Sequence, residues 1–152
     1  MQETSAPLIR TVYVVHHSHT DIGYTHGQSR IVHWHREFIR QAMRIAARRE
    51  GFSWTCETLY PVEQFWQTAT EEERRTFISL VKAGRLGLTA GYLHFNELPD
   101  APLLEALAQR ARGFESDGLA VDAAMHADIN GCPLIQARAL VKAGVRFLLM
   151  CV

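Results

Sequence analysis

The stretch TVYVVHHSHTDIGYTHG, residues 11–27, contains both the first strand signal of this chain and its densest group of potential metal ligands. Its first five residues are β-branched or aromatic, which favours a strand over residues 11–15. Histidines, an aspartate and two glycines follow at once, and such a composition is typical of a polar loop. The stretch therefore predicts a strand that delivers metal-ligating side chains at its carboxyl end.

The remainder of the chain repeats this order of strand, loop and helix. Four further strands are predicted over residues 53–57, 86–90, 121–126 and 145–151. Apolar residues with a helical period predict helices over residues 29–49, 61–68, 71–83, 102–114 and 134–143. Thr70 and Glu73 have the spacing of a capping box, which predicts where the third of these helices begins.

Strands that alternate with helices indicate an α/β fold with a mainly parallel sheet covered on both faces. About five parallel strands with helices outside make a partial (β/α) barrel, because a closed barrel usually needs about 250 residues. The chain has 152 residues, so we expect one incomplete domain over residues 1–152. We expect self-association or a second chain to cover its apolar last strand; a self-sufficient open sheet is the alternative.

The charge balance and the cysteine pattern exclude several classes of protein. Lys plus Arg and Asp plus Glu both number 16, so no strong field favours nucleic acid or a membrane surface as a partner. No apolar run reaches the roughly 18 residues of a transmembrane helix. Three widely spaced cysteines argue against a disulfide framework and favour a reducing, cytoplasmic location.

Ligand-type side chains gather after the predicted strands. They are His17, His19, Asp21, Glu57, His94 and Asp128. In parallel β/α folds the chemistry sits at the carboxyl ends of the strands. Imidazole nitrogen and carboxylate oxygen are ligands that catalytic zinc accepts. We therefore predict a divalent metal site, with zinc as the metal, on His19 and Asp21; a polar surface loop is the alternative.

The stretch MHADINGCP, residues 125–133, places Asp128 just before an Asn-Gly pair. Turn chemistry explains that pair, and Pro133 is well placed to open the next helix. It does not explain an aspartate at the active edge of a sheet, where a carboxylate serves as ligand, base or nucleophile. A functional role and a plain turn role for Asp128 both stay open.

The stretch HSHTDIGYT, residues 17–25, resembles the signature that opens the α-mannosidases of glycoside hydrolase family 38, a Ser-His-x-Asp-x-Gly-aromatic string. By this resemblance His19 and Asp21 bind zinc. Tyr24, where the family usually has tryptophan, lines the sugar-binding subsite. MHADINGCP is similar to a later strand end of the family, which makes Asp128 a zinc ligand and the catalytic nucleophile. A weaker likeness covers LVKAGRLGLTAGYLHFNE, residues 80–97.

The resemblance implies a zinc-dependent, retaining glycosidase that acts on a carbohydrate. It also implies a barrel of the seven-stranded glycoside hydrolase and deacetylase type. The family's fourth ligand, a histidine, and its general acid lie beyond the length of this chain. With three ligands present, we expect weak binding of Zn²⁺ and little or no glycosidase activity from this chain alone.

Two other functions stay open. Amidohydrolases place His-x-His after the first barrel strand, which His17 and His19 also match, and polysaccharide deacetylases use an Asp/His/His metal set in a related barrel. A zinc-dependent amidohydrolase or deacetylase is therefore one alternative. The other is a non-catalytic remnant domain, which the missing general acid favours.

Overall fold

The structure, a computed structural model, describes residues 8–96 and 98–151. Helices α1 to α5 span Gln28–Arg48, Leu59–Trp66, Glu71–Lys82, Ala101–Gln109 and Leu134–Lys142, and a 3-10 helix spans Arg110–Asp117. Strands β1 to β4 span Trp54–Cys56, Leu86–Leu88, Ala123–Ala127 and Phe147–Cys151. Each predicted helix has a counterpart, and so does each predicted strand except the first. No helix in that part of the chain is long and apolar enough to cross a membrane.

The four strands form two parallel pairs. β1 pairs with β2, with Trp54 opposite Leu86, and β3 pairs with β4, with Ala123 opposite Phe147. The pairs adjoin where the backbone N–H of Ala90 donates to the carbonyl of Ala123 at 2.8 Å. The predicted partial (β/α) barrel is wrong, because residues 8–96 and 98–151 form two small sheets that do not close. Closure needs a continuous ladder of staggered strands, and these short pairs do not build one.

The predicted strand over residues 11–15 is also wrong, since these residues are irregular and exposed. The segment reaches the sheet only further along the chain. There the N–H of Thr55 donates to the carbonyl of His16 at 2.7 Å, and His17 forms an isolated parallel bridge with Thr55. A strand needs a ladder of hydrogen bonds to offset the entropy lost when its backbone is ordered. One bridge supplies too few hydrogen bonds to do so.

The core lies between the strands and the helices packed on them. Phe65 on α2 and Phe77 on α3 are fully buried, and their ring centroids lie 5.6 Å apart. The helical period of α1 turns Ile31 and Ile39 inward. Burial of each such side chain stabilises the fold by about 1.5–3 kcal/mol. This core therefore holds the strand ends in a fixed position against α1 to α3.

β4 forms an outer edge whose apolar side chains stay exposed. They are Phe147, Leu148, Leu149 and Met150. A neighbouring chain or a second copy that covers this edge stays a prediction.

The predicted capping box at the start of α3 is confirmed. The N–H of Glu73 donates to the Thr70 hydroxyl at 3.2 Å, and the N–H of Thr70 donates to the Glu73 carboxylate at 2.8 Å. Arg40 on α1 also donates to this carboxylate, at 2.7 Å. The Arg40 guanidinium and the Thr70 backbone together hold the pKa of Glu73 below its ordinary value.

Glu73→Gln should lower the free energy of unfolding by about 1 kcal/mol at neutral pH, because charged hydrogen bonds are lost at a partly exposed site. The pKa of Glu73 is lower in the folded than in the unfolded state. The contribution of ionised Glu73 to stability is therefore fully present above its pKa in the unfolded chain, about 4.3. This contribution is lost as the pH falls through the pKa that Glu73 has in the folded state. Urea unfolding at pH 7 and pH 3 measures the difference between wild type and variant, which should shrink in acid.

The matched control is Glu72→Gln, in the same helical turn and exposed. It should change stability little at either pH. If the difference in free energy of unfolding between wild type and Glu73→Gln were equal at both pH values, this would contradict the lowered pKa of Glu73.

Candidate metal centre

The loops that leave the strands converge on one pocket of about 270 Å³. Its polar wall carries His19, Asp21, Glu57, His94 and Asp128. Its apolar wall includes Phe38, Ile39 and Trp54. Parallel strands bring these side chains together, because their carboxyl ends meet at one edge and direct the following loops to the same side.

His19, Asp21 and Asp128 meet at the open side of this pocket, and we call them the ligand triad. Nε2 of His19 lies 3.4 Å from Oδ1 of Asp21 and 3.6 Å from Oδ2 of Asp128. The three ligand atoms all lie within 4.8 Å of one another. Tetrahedral zinc with bonds of about 2.0–2.1 Å separates its ligand atoms by roughly 3.3–3.4 Å. The donor types and their spacing therefore fit zinc.

Next to the triad lies the carboxylate of Glu57, which is only 8% exposed. Nδ1 of His19 donates to its Oε1 at 2.8 Å. Nδ1 of His17 and Nε2 of His94 lie 3.3 Å and 3.4 Å from the same oxygen. Burial raises the pKa of Glu57, but the contacts with His94 and His19 outweigh it, and the net pKa lies below its ordinary value.

The same contacts act on His19 in the opposite direction. Burial lowers the pKa of His19, but the hydrogen bond and charge of Glu57, followed by those of Asp21, raise it above its ordinary value. The imidazoles around Glu57 offset the cost of burying its negative charge. Glu57 is therefore an ionised hydrogen-bond acceptor at neutral pH.

His94 joins this group with a defined tautomer. Its Nδ1 accepts the backbone N–H of Ala127 at 3.2 Å, so the proton of the neutral ring is on Nε2. That nitrogen is 3.4 Å from Oε1 of Glu57 but does not meet hydrogen-bond geometry, and it is buried with no other partner among the described residues. His19, Glu57 and His94 also lie within reach of one ion. Because a protonated nitrogen offers a metal no lone pair, the geometry favours the ligand triad instead.

Cys56 and His35 are further titratable groups of the pocket wall. Burial raises the pKa of the Cys56 thiol to about 12, so the thiol stays protonated and is a poor nucleophile. Burial also lowers the pKa of His35, against the smaller opposing effects of Thr20 and Glu57. Both groups are thus neutral at pH 7.

The loop after β3 holds Asp128 in a strained backbone conformation. Its φ of 56° is the one positive value among the non-glycine residues that the structure describes. An L residue there loses about 1–2 kcal/mol, although aspartate tolerates the region better than most. Nε2 of the buried His126 donates to the carbonyl of Gly131 at 2.7 Å, which ties the loop back to the strand. Backbone strain kept in this way is frequent at functional sites.

Comparison with protein families gives a match to the Glycosyl hydrolases family 38 N-terminal domain over residues 10–150. The chain belongs to this family. The match includes the whole ligand triad and confirms the resemblance of residues 17–25. Family 38 membership supports a glycoside hydrolase relationship, and the groups of potential ligands support a metal site without identifying its ion. Comparison with curated proteins gives no significant match.

The site combines residues with a role predicted from the sequence and residues to which the sequence assigns no role. The three predicted ligands come together, and their role in binding zinc stays a prediction. Tyr24, predicted to bind sugar, is 90% exposed and does not line the pocket; its role also stays a prediction. The sequence places Glu57 and His94 among the ligand-type side chains that follow strands, but sequence reasoning assigns neither a role in the site. Their shared place at the carboxyl ends of β1 and β2 is the signal that could have assigned one.

Asp128→Asn and Asp128→Ala both remove the charge, so comparing them isolates the strain of the backbone. Asparagine tolerates a positive φ better than alanine does. We expect the alanine variant to be less stable than the asparagine variant by about 1 kcal/mol, as measured by denaturant unfolding. The same two substitutions at Asp122, whose φ is not positive, should differ by less than about 0.5 kcal/mol. Equal stability of the two Asp128 variants would show that the strain is absent.

Proposed function

We propose that this family 38 chain carries a zinc-dependent, retaining glycosidase site of the α-mannosidase type. The ligand triad supports this proposal, since Nε2 of His19 lies 3.4 Å and 3.6 Å from carboxylate oxygens of Asp21 and Asp128. One imidazole and two carboxylates are a donor set that zinc accepts. Bound zinc supplies a Lewis acid that orients sugar hydroxyls and stabilises developing negative charge.

Asp128 is the proposed nucleophile. Its side chain is 74% exposed at the open side of the pocket, whereas Glu57 is buried and engaged with histidines. In a retaining glycosidase, a carboxylate oxygen bonds to the anomeric carbon while the bond to the leaving oxygen breaks. Water then releases the sugar from the carboxylate. The acid that protonates the leaving oxygen is not assigned to a residue.

The walls of the pocket fit a small carbohydrate. Its volume of about 270 Å³ is close to the lower limit of roughly 300 Å³ for small-molecule sites, which suits a single sugar unit. Phe38 and Trp54 line the apolar wall and offer surface for the C–H face of a sugar ring. Tyr24, to which the resemblance assigns the sugar-binding role, lies outside this lining.

Asp21→Ala should weaken zinc binding more than 100-fold, because loss of a ligand exceeds the roughly 10–100-fold effect of losing a ligand's partner. His17→Ala should weaken it less than about tenfold, since Nδ1 of His17 faces Glu57 at 3.3 Å and not the triad. Competition with a chromogenic chelator measures both affinities. The control is His33→Ala, which changes an exposed histidine of α1.

Each other outcome of this titration points to a different function. Loss of zinc with His17→Ala alone would favour the amidohydrolase alternative, in which His17 and His19 are the ligands. A wild-type protein that binds no zinc would contradict the proposal and favour the non-catalytic remnant.

The nucleophile is tested with a fluorinated α-mannosyl fluoride, whose fluoride leaves with little help from an acid. The zinc-loaded protein should gain the mass of one fluorosugar on the peptide that contains Asp128, because the ring fluorine slows release of the glycosyl-enzyme. Peptide mass spectrometry locates the label, and Asp128→Asn should abolish it. An unlabelled protein with zinc bound, or a label on another residue, would rule out Asp128 as the nucleophile.

A further inference from the structure

We propose that Glu57 is a positioning residue that fixes the tautomer of His19, so that the lone pair of Nε2 faces Asp21 and Asp128. The consequence for metal binding rests on the proposed function. The tautomer itself is a property of the metal-free protein and can be measured separately.

The hydrogen bond between His19 and Glu57 decides where the imidazole proton lies. Nδ1 of His19 is 2.8 Å from Oε1 of Glu57, and an ionised carboxylate can only accept. Nδ1 must therefore carry the proton. In the neutral ring the lone pair is then on Nε2, the atom that lies 3.4 Å from Asp21 and 3.6 Å from Asp128.

Glu57 is itself held from two sides, which makes it a rigid acceptor. The hydroxyl of Thr89 donates to the backbone carbonyl of Glu57 at 2.5 Å and to that of Cys56 at 3.1 Å. On the side-chain side, the Nε2–H of His94 faces Oε1 at 3.4 Å, while Nδ1 of the same ring accepts the N–H of Ala127. The position of Glu57 is thus set by Thr89 and His94, which follow β2, and through His94 by Ala127 on β3.

These contacts form a series that runs from the β3 backbone through His94 and Glu57 to His19 of the ligand triad. Ala127, which donates to His94, directly precedes Asp128. The residue that positions His19 is therefore linked to the strand end that presents the proposed nucleophile. Partners that orient a metal-bound histidine in this way typically change metal affinity by about 10–100-fold when they are removed.

Glu57→Gln and Glu57→Leu separate the acceptor role of this side chain from its packing. Glutamine keeps an acceptor oxygen for the Nδ1–H of His19, whereas leucine fills the space and accepts nothing. Without an acceptor at Nδ1, the nearest acceptors are the carboxylates beside Nε2, so the proton should move to Nε2. The control is Glu63→Leu, because Glu63 is a partly buried carboxylate that pairs with Arg110 and does not line the pocket.

Long-range ¹H–¹⁵N spectra of the metal-free proteins at alkaline pH report the tautomer of each neutral histidine. We expect His19 to be protonated on Nδ1 in wild type, in Glu57→Gln and in Glu63→Leu, and to shift toward Nε2–H in Glu57→Leu. A wild-type His19 protonated on Nε2 would overturn the inference, and this result needs no variant to fold. An unchanged Nδ1–H form in folded Glu57→Leu would overturn it as well.

Zinc titration of the same four proteins gives the second measurement. Glu57→Leu should weaken binding about 10–100-fold, and Glu57→Gln should weaken it less than about tenfold, with one zinc per chain throughout. Two zinc ions in wild type and one in Glu57→Leu would make Glu57 a ligand and overturn the positioning role. If wild type binds no zinc while the tautomers behave as expected, the proposed function fails and the positioning role of Glu57 stands.

Discussion

The parallel alignment of the strands is the constraint on which the whole site depends. Four segments end at one edge of the structure and each delivers a side chain to the same pocket. These side chains are His19 after the bridged segment, Glu57 after β1, His94 after β2 and Asp128 after β3. Antiparallel neighbours would send alternate strand ends to opposite edges. The residues are far apart in sequence, so the site exists only when this alignment has formed.

A buried negative charge then organises the side chains that the strands deliver. An isolated buried carboxylate has a raised pKa, because its ionised form loses hydration. For Glu57 the surrounding histidines reverse this direction. Glu57 consequently accepts a hydrogen bond from His19 and has nitrogens of two more histidines within 3.4 Å of the same oxygen. The two more exposed carboxylates, Asp21 and Asp128, stay available at the open side of the pocket. The difference in burial therefore separates Glu57, a hydrogen-bond acceptor, from Asp21 and Asp128, the proposed metal ligands.

Local patterns in the sequence predict the features that depend on local spacing. The helices and the capping box of Thr70 and Glu73 are examples, because each involves residues within a few positions of one another. The barrel and the strand over residues 11–15 depend on ladders between distant segments, which composition does not encode. The triad could be predicted from ligand chemistry at strand ends together with the family resemblance.

The contact between Glu57 and His94 could not be predicted in the same way. It arises because β1 pairs with β2 in a register that sets Cys56 opposite Leu88. This register cannot be predicted from the types of the individual residues. The positive φ of Asp128 likewise occurs in a loop that the hydrogen bond between His126 and Gly131 closes only in the folded chain.

The exposed edge of β4 has a consequence of another kind: FLLMC, residues 147–151, has no charge, proline or glycine, and such segments template aggregation when an edge is free. Arg146, just before them, carries a charge that opposes strand addition at this edge, so the colloidal behaviour of the protein depends in part on a residue far from its chemistry.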